Sequence, residues 1–327
     1  MTRQRTYWHL TNLTRKPTDY DIATSRLLYY PGRGFEVNAP FAAWHERFAR
    51  GSAFSIADWE RFRDPRETTY TRYTELQQTK ETFVDELLRS IDGTEYDARL
   101  DPRWIEVLDR TIAPLRYPIH GLQMVSGYVG HMAPSGRLVI TCLCQAADEM
   151  RRIQRFAYRM RQLQEIHPEL GQHSRSSWEG QALWQPLRRA VERLLVTYDW
   201  GEALAALNLC LKPAFDRLFM VCFAELARAA GDDLLVKLLF SLHEDCRWHA
   251  DWTGSLIRLA IEERPENRAI LQGWIDRWDP VAAAALQALA PVFEDAPVPL
   301  RFAEVWAGVE AAVRERRLAM GLLEDRP

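Results

Sequence analysis

Apolar side chains recur at the three- and four-residue spacing of an α-helix over nearly all of residues 66–320. The segment 136–166 shows this most clearly, and it ends at a His-Pro pair that disfavours further helix. Its apolar residues follow one stripe: Leu143, Ala146, Met150, Ile153, Ala157, Met160 and Leu163. Strand signals are scarce, so the sequence predicts an all-α fold. Helices as long as these, about 25 to 30 residues, usually pack as a bundle.

Prolines and glycines divide this region into predicted segments. Pro114 is predicted to end a helix that begins near Asp101, and a second helix is predicted over 116–132. Other helices are predicted over residues 66–90, 185–198, 200–212, 214–230, 232–263, 265–278, 280–290 and 301–320. Residues 167–184 are predicted to be a loop with one short helix. No Pro-, Gly- or Ser-rich linker divides the region, which predicts a single helical domain over residues 66–327.

The first 65 residues differ, because they are rich in aromatic residues and proline and show little helical period. Such a segment has too few ordered repeats to form a core of its own, and it is too aromatic to be left in water. We therefore expect residues 1–65 to form an extended arm that lies on the chain's own body or on a partner. Aromatic residues of the arm that are candidates for a subunit interface are Tyr7, Trp8, Tyr20, Tyr29 and Tyr30.

Charge and cysteine usage disfavour several classes of protein. The formal net charge is −3, whereas nucleic-acid-binding proteins usually carry a basic excess. No segment approaches the roughly 20 consecutive apolar residues that cross a bilayer, and the N-terminus lacks the apolar region of a signal peptide. The five cysteines contain no C-x-x-C pair and are expected to be reduced thiols. We expect a cytoplasmic protein that binds neither nucleic acid nor membranes.

An all-α bundle can hold a di-iron or di-manganese carboxylate site, in which two helices each supply Glu-x-x-His. None of the eight histidines has Glu three residues before it. Two segments carry Glu-x-x-Arg instead: Glu149 with Arg152, and Glu244 with Arg247. A guanidinium has no lone pair for a metal, but it pairs well with a carboxylate. These pairs are either ordinary ion pairs on a helix or positions at which a related protein would hold metal.

Other chemical signatures are absent, including G-x-G-x-x-G, the Walker A loop, H-E-x-x-H and G-x-S-x-G. Segment 136–166 is basic, which predicts either a solvated face or a seam paired with acidic residues of a partner. Its arginines are Arg151, Arg152, Arg155, Arg159 and Arg161. Segment 116–132 carries His120, Met124 and Tyr128, which we expect in the core or at a subunit interface.

Short runs spread over about residues 3–295 together resemble one family: RTYWHL at 5–10, KPTDYDI at 16–22, PLRY at 114–117, HGLQM at 120–124, QAADE at 145–149, YDWGEA at 198–203 and CRW at 246–248. The chain resembles the β subunit of the hydroxylase of bacterial multicomponent di-iron monooxygenases, and within them the toluene/benzene monooxygenase branch. The resemblance implies a ferritin-like long-helix bundle.

The resemblance also implies a role and a set of partners. The family's hydroxylase is an (αβγ)₂ assembly in which the α subunit holds the di-iron centre. The β subunit lacks the metal ligands, so this chain is expected to carry no metal, cofactor or catalytic residue. A regulatory protein and an NADH-dependent reductase, in some branches with a Rieske ferredoxin, act on the complex. The implied reaction is O₂-dependent hydroxylation of an aromatic hydrocarbon or epoxidation of an alkene.

Two other hypotheses stay open from the sequence. One is a stand-alone ferritin-like metal enzyme with atypical ligands. The other is a helical adaptor or DNA-binding protein, which the acidic net charge disfavours.

Overall fold

The computed structural model describes Leu10 and residues 13–25 and 39–323, and over these residues it contains helices and turns but no strand. Four of the predicted interface residues, Tyr7, Trp8, Tyr29 and Tyr30, lie outside the described residues. None of the described helices is both long and apolar enough to span a membrane.

Long helices dominate the described part of the chain. In chain order the helices are α1 (Asp19–Thr24), α2 (Ala39–His45), α3 (Tyr70–Arg89), α4 (Pro102–Met132), α5 (Gly136–Ile166), α6 (Ser174–Gly180), α7 (Gln185–Leu195), α8 (Trp200–Ala205), α9 (Lys212–Asp216), α10 (Phe223–Ala229), α11 (Asp233–Glu263), α12 (Glu266–Gln287), α13 (Ala290–Glu294) and α14 (Phe302–Ala319).

Helices α4 and α5 form an antiparallel hairpin at the centre of the bundle. The predicted break at Pro114 is wrong, because α4 runs without interruption through Pro114 and Pro118. A proline inside a helix costs about 3 kcal/mol or more. Both prolines are buried, together with most of the inward face of α4, so tertiary packing offsets that cost. The predicted break at residue 279 is also wrong, since α12 continues through Pro280, which is exposed, and the helix is held by its buried neighbours Trp278 and Ala282.

The third long element runs from α8 to α10 as one helical segment rather than the two that Pro213 predicted. The π-helical turns Ala206–Leu211 and Arg217–Cys222 join its three α-helical parts. Pro213 lies inside this continuous segment and is buried with its neighbours, so packing offsets the cost of its missing N–H. Every residue of α9 is buried, including Lys212 and Asp216, so this element brings charged side chains into the centre of the bundle.

The described part of the N-terminal arm packs on the chain's own body and is not extended throughout, since it contains α1 and α2. The side chain of Tyr20 is buried, and its hydroxyl accepts a hydrogen bond of 3.0 Å from the backbone N–H of Asp64. Farther along the arm, Trp44 Nε1 donates to the Tyr128 hydroxyl at 3.1 Å. Hydrogen bonds such as these satisfy the polar ends of aromatic side chains whose rings pack on the bundle.

Candidate functional site: a buried ion-pair cluster in the helix bundle

Helix α5 turns a polar face, and not only apolar side chains, toward the centre of the bundle. Glu149 and Arg152 are almost fully buried, whereas Leu143 is 62% exposed and Met150 is 38% exposed. The apolar stripe predicted for this helix is therefore divided between core and surface. Buried charges persist only when they are paired, so their partners must come from other helices.

Those partners are Lys212 and Asp216, one turn apart on α9. Lys212 Nζ lies 2.6 Å from Glu149 Oε1 and 2.8 Å from Asp216 Oδ2. Arg152 Nη1 donates to Asp216 Oδ1 at 2.9 Å and lies 3.4 Å from Glu149 Oε2. We call Glu149, Arg152, Lys212 and Asp216 the buried ion-pair cluster. Its two carboxylates and two cations balance to zero net charge.

The cluster fixes the protonation states of Lys212 and Asp216. Burial disfavours the charged form of Lys212, but the attraction of Asp216 and Glu149 outweighs it and raises the pKa of the ammonium. Burial likewise opposes ionisation of Asp216, yet the nearby Lys212 and Arg152 hold the pKa of this carboxyl below its usual value. Lys212 and Asp216 are therefore both charged at neutral pH.

Helix α11 adds a thiol and an imidazole next to the cluster, from Cys246 and His249. Arg152 Nη2 donates to Cys246 Sγ at 2.8 Å, and His249 Nε2 lies 2.9 Å from Asp148 Oδ2. Burial, and then the charge of Lys212, lowers the pKa of His249 to about 3, so the imidazole is neutral at pH 7. Burial also raises the pKa of the Cys246 thiol. His249 Nδ1 has no hydrogen-bond partner.

A second polar layer connects these groups to α3. Asp148 Oδ1 accepts hydrogen bonds from the Tyr73 hydroxyl at 2.6 Å and from Gln77 Nε2 at 2.7 Å. Arg151 Nη1 pairs with Asp245 at 2.6 Å, and Gln77 also donates to Asp245 at 3.1 Å. Burial, and then the nearby Asp245, raise the pKa of the Asp148 carboxyl well above its usual value.

Four of the five predicted arginines of α5 pair with acidic residues of the chain itself, so the predictions of a solvated face and of a partner's acidic seam are wrong for Arg151, Arg152, Arg155 and Arg159. Arg161 is exposed to solvent. Arg159 donates to the carboxylate of Asp97 and Arg155 pairs with that of Asp85. Most of the basic side chains of α5 therefore form ion pairs within the chain.

The second Glu-x-x-Arg motif lies elsewhere. Glu244 and Arg247 form an exposed i,i+3 ion pair of 2.9 Å on α11, and they do not meet Glu149. The residues of α11 that face the cluster are Cys246 and His249, each two positions after a residue of the Glu244–Arg247 motif. The C-x-x-H spacing of these two residues is visible in the sequence, and a search for Glu-x-x-His alone passes over it.

A small cavity of about 20 Å³ adjoins the cluster, enough for about one water molecule. Residues from the cluster and from α11 line it, among them Lys212, Asp216, Cys246 and His249. In the part of the chain that the structure describes, no group of three or more His, Cys, Asp or Glu side chains is arranged to hold a metal ion. The Lys212 ammonium and the Arg152 guanidinium oppose a cation in this space. These residues do not fit a di-iron centre.

The predicted interface residues that the structure describes fall into two groups. Tyr20 and Tyr128 serve the chain's own packing, since Tyr128 accepts from Trp44 and donates to the backbone carbonyl of Tyr198 at 2.6 Å. His120 and Met124 lie on the outer face of α4 and remain exposed. Tyr20 is buried, whereas Tyr128 is only half-buried.

The chain is similar in sequence and in fold to known proteins. A family model described as methane/phenol/alkene hydroxylase matches residues 39–264. The chain belongs to this family. One member, the hydroxylase component subunit beta of the toluene-4-monooxygenase system of Ectopseudomonas mendocina, is 32% identical over 316 residues, which cover 94% of this chain and 96% of that one. An oxygenase component of phenol 2-monooxygenase from Pseudomonas sp. (strain CF600) is 25% identical, over 75% of this chain and 73% of the relative.

A solved structure of toluene 4-monooxygenase with toluene in the resting active site contains a chain of the same hydroxylase fold. It superposes with a TM-score of 0.84 at 33% sequence identity and covers 88% of this chain and 97% of that one. These comparisons confirm the predicted all-α, ferritin-like bundle and the resemblance to the toluene monooxygenase branch.

Proposed function

We propose that this chain is the non-catalytic, metal-free β subunit of the hydroxylase of a multicomponent di-iron monooxygenase. The chain covers nearly the full length of a hydroxylase β subunit in the toluene-4-monooxygenase system. The observation that carries the metal-free part of the proposal is the buried ion-pair cluster. Its Lys212 ammonium lies between Glu149 and Asp216, two carboxylates of the kind that would otherwise bind a cation.

The chemistry of the assembly then belongs to a partner. We assign the di-iron centre to an α subunit, and the subunits to an (αβγ)₂ assembly on which a regulatory protein and an NADH-dependent reductase act. The reaction is O₂-dependent hydroxylation of an aromatic hydrocarbon or epoxidation of an alkene. All five cysteines are free thiols, which agrees with a cytoplasmic location.

The surface of the bundle supports a scaffold role. Helix α5 exposes large apolar side chains at helical spacing, Leu143, Met150 and Tyr158, and α4 exposes Met124. Exposed apolar stripes on neighbouring helices are typical of a surface that a partner covers. We assign this surface, together with His120, to the contact with the α subunit. A rigid, internally paired β subunit would hold the ligand helices of α in place.

Metal analysis and reconstitution test the proposal. The purified chain is expected to contain no stoichiometric iron after expression in iron-rich medium and to oxidise no toluene when supplied with the reductase. Co-expression with α and γ subunits of such a hydroxylase is expected to yield a complex that contains iron and turns over. Stoichiometric iron in the isolated chain would instead support the stand-alone metal enzyme with atypical ligands. Failure to form a complex would overturn the subunit assignment.

A further inference from the structure

A groove lies on the outside of the bundle between α11 and the end of α14. Its volume is about 400 Å³. Small or apolar residues form part of its lining, Ala250 and Gly254 from α11 and Ala319 and Met320 from α14. A Cβ atom on Gly254 would lie 3.2 Å from Arg258 Nη1. The glycine therefore leaves room for the Arg258 side chain to lie along the groove.

The charged residues that line the groove are mostly basic. Among the described residues they are three arginines, Arg247, Arg258 and Arg316, and one carboxylate, Asp251. Arg66 already pairs with that carboxylate, since Arg66 Nη2 lies 2.7 Å from Asp251 Oδ2. We call the groove that Arg247, Arg258 and Arg316 line the basic groove.

Two of its arginines have no acidic partner in the part of the chain that the structure describes. Arg258 Nη1 donates to the backbone carbonyl of Ala319 at 3.2 Å, and the side chain of Arg316 makes no hydrogen bond or ion pair there. Arg247 pairs with Glu244 at 2.9 Å, but both side chains are exposed. A guanidinium carries five N–H donors, so most donors of the two unpaired arginines are available to an acidic ligand.

The spacing of the arginines on α11 indicates the size of that ligand. Arg247 and Arg258 stand eleven residues apart, or about three turns. They therefore share one face of the helix, about 16 Å apart along its axis. A small anion cannot pair with both, whereas an extended segment of about five residues spans the distance. The spacing favours an acidic polypeptide over a phosphate or carboxylate ion.

The exposure of the arginines indicates how long such a partner stays bound. Arg258 is exposed and Arg316 is half-buried. Exposed ion pairs are individually weak and are screened by salt, but they guide encounter and fix orientation. Permanent interfaces are larger and more apolar, as is the exposed stripe of α5. A basic groove suits a partner that binds and leaves.

We propose that the basic groove binds an acidic segment of a transient protein partner. The identity of this partner, a soluble component that acts on the hydroxylase during turnover, rests on the proposed function. The binding itself does not, because the arginines all belong to this chain.

The first experiment measures binding of a fluorescein-labelled oligoglutamate peptide of about eight residues to the full-length chain by fluorescence anisotropy. The wild-type chain is expected to bind the peptide at low salt and to release it as the salt concentration rises. The double charge reversal Arg258→Glu and Arg316→Glu is expected to weaken binding by at least about tenfold. A wild-type chain that binds oligoglutamate no better than oligoglutamine would overturn the proposal.

The matched control is the double variant Arg89→Glu and Arg103→Glu. It makes the same change in net charge at two exposed arginines outside the groove, at the end of α3 and the start of α4. It is expected to bind the peptide as the wild type does. Equal losses of affinity in the two double variants would show attraction by net charge alone and would contradict a defined site.

If the charge reversal does not fold, Arg258→Gln with Arg316→Gln replaces it, with an expected loss of affinity of about threefold. Unchanged affinity of this neutral variant would likewise contradict the site.

Three other occupants of the groove are outcomes of the same measurements. A second copy of the chain would appear as self-association in sedimentation that the charge reversal abolishes. Occupation by Glu324 and Asp325, which lie outside the described residues, would appear as tighter peptide binding after Glu324→Gln and Asp325→Asn. A small-anion site would appear as displacement of the peptide by micromolar inorganic phosphate. Each of these results would overturn the assignment to a protein partner.

The second experiment uses the assembled hydroxylase. The variant with Arg258→Glu and Arg316→Glu is expected to raise the KM for one soluble component by at least about tenfold, with kcat unchanged when that component is saturating. Unchanged KM values for all components would overturn the partner assignment. If the chain binds the peptide but forms no complex with α and γ subunits, the proposed function fails, while the peptide binding still supports the basic groove.

Discussion

Arg152 holds two buried groups at once, because its guanidinium donates to Asp216 and to Cys246. Its substitution by Met leaves Asp216 with Lys212 as its one ion-pair partner and removes the donor at Cys246. Removing one partner of a buried ion pair typically costs about 3 to 5 kcal/mol. We expect Arg152→Met to lower the free energy of unfolding in urea by that amount.

Arg247→Met is the matched control for Arg152, since it removes the guanidinium of the other Glu-x-x-Arg motif. The Glu244–Arg247 pair is exposed, so we expect a loss below about 1 kcal/mol. Equal losses of unfolding free energy in the two variants would show that the buried Arg152 pair contributes no more to stability than the exposed Arg247 pair.

His249 gives the fold a distinct sensitivity to acid. Burial lowers the pKa of His249 to about 3, whereas an unfolded histidine titrates near pH 6.5. The unfolded chain therefore binds the proton first as the pH falls. The stabilisation is complete above about pH 6.5 and is lost toward pH 3, at about 1.4 kcal/mol per pH unit.

His249→Gln removes this titration and keeps an amide that can reach Asp148. Urea unfolding at pH 7, 6 and 5 is expected to show a smaller loss of stability for the variant than for the wild type. Parallel profiles of the two proteins would contradict the assignment of His249 as a neutral buried imidazole.

At the scale of the element, α3 is attached to the bundle mainly by charge. Only Val84 and Leu88 of this helix are buried, while Arg151 and Arg155 of α5 reach Glu81 on it. Elements with few buried apolar contacts open at low free energy. We expect the double substitution Glu81→Gln and Asp85→Asn to speed amide hydrogen exchange in α3 by about tenfold, with little change in α4.

The control for α3 is Glu95→Gln, which neutralises a partner of the exposed Arg99–Glu95 pair outside the helix. It is expected to leave the exchange of α3 unchanged. Unaltered exchange in the double variant would mean that apolar packing, rather than the ion pairs, holds α3.

At the scale of the whole molecule, the exposed stripe of α5 is the proposed contact with the α subunit. An aspartate at Leu143 or Met150 would bury an unpaired charge in that contact. Because central interface side chains contribute about 2 kcal/mol or more, we expect at least a 30-fold loss of affinity, measured by biolayer interferometry with the co-expressed partner.

Val196→Asp is the control for the interface prediction. Val196 is exposed at the end of α7 and lies outside the stripe of α5. This variant is expected to assemble normally. Normal assembly of Leu143→Asp and Met150→Asp would exclude this stripe as the contact surface.

The sequence determined the elements whose signals are local. Periodicity and stop residues predicted a helix over 136–166 and another over 232–263, and the structure has Gly136–Ile166 and Asp233–Glu263. It did not predict that the chain continues as helix through Pro114 and Pro280. The cost of a proline is local, but the burial that offsets it comes from residues far along the chain.

The candidate site likewise has some features that the sequence determined and others that only the tertiary structure decided. The sequence by itself determined that Glu-x-x-His is absent and that Glu149 is followed by Arg152, and the short runs it carries pointed to the family. Only the tertiary structure decided that Arg152 is buried and Arg247 exposed, and that Lys212 lies between two carboxylates. The partners of Arg152 are 64 and 94 residues away, at Asp216 and Cys246. No local pattern specifies such a contact, because it arises only when the helices pack.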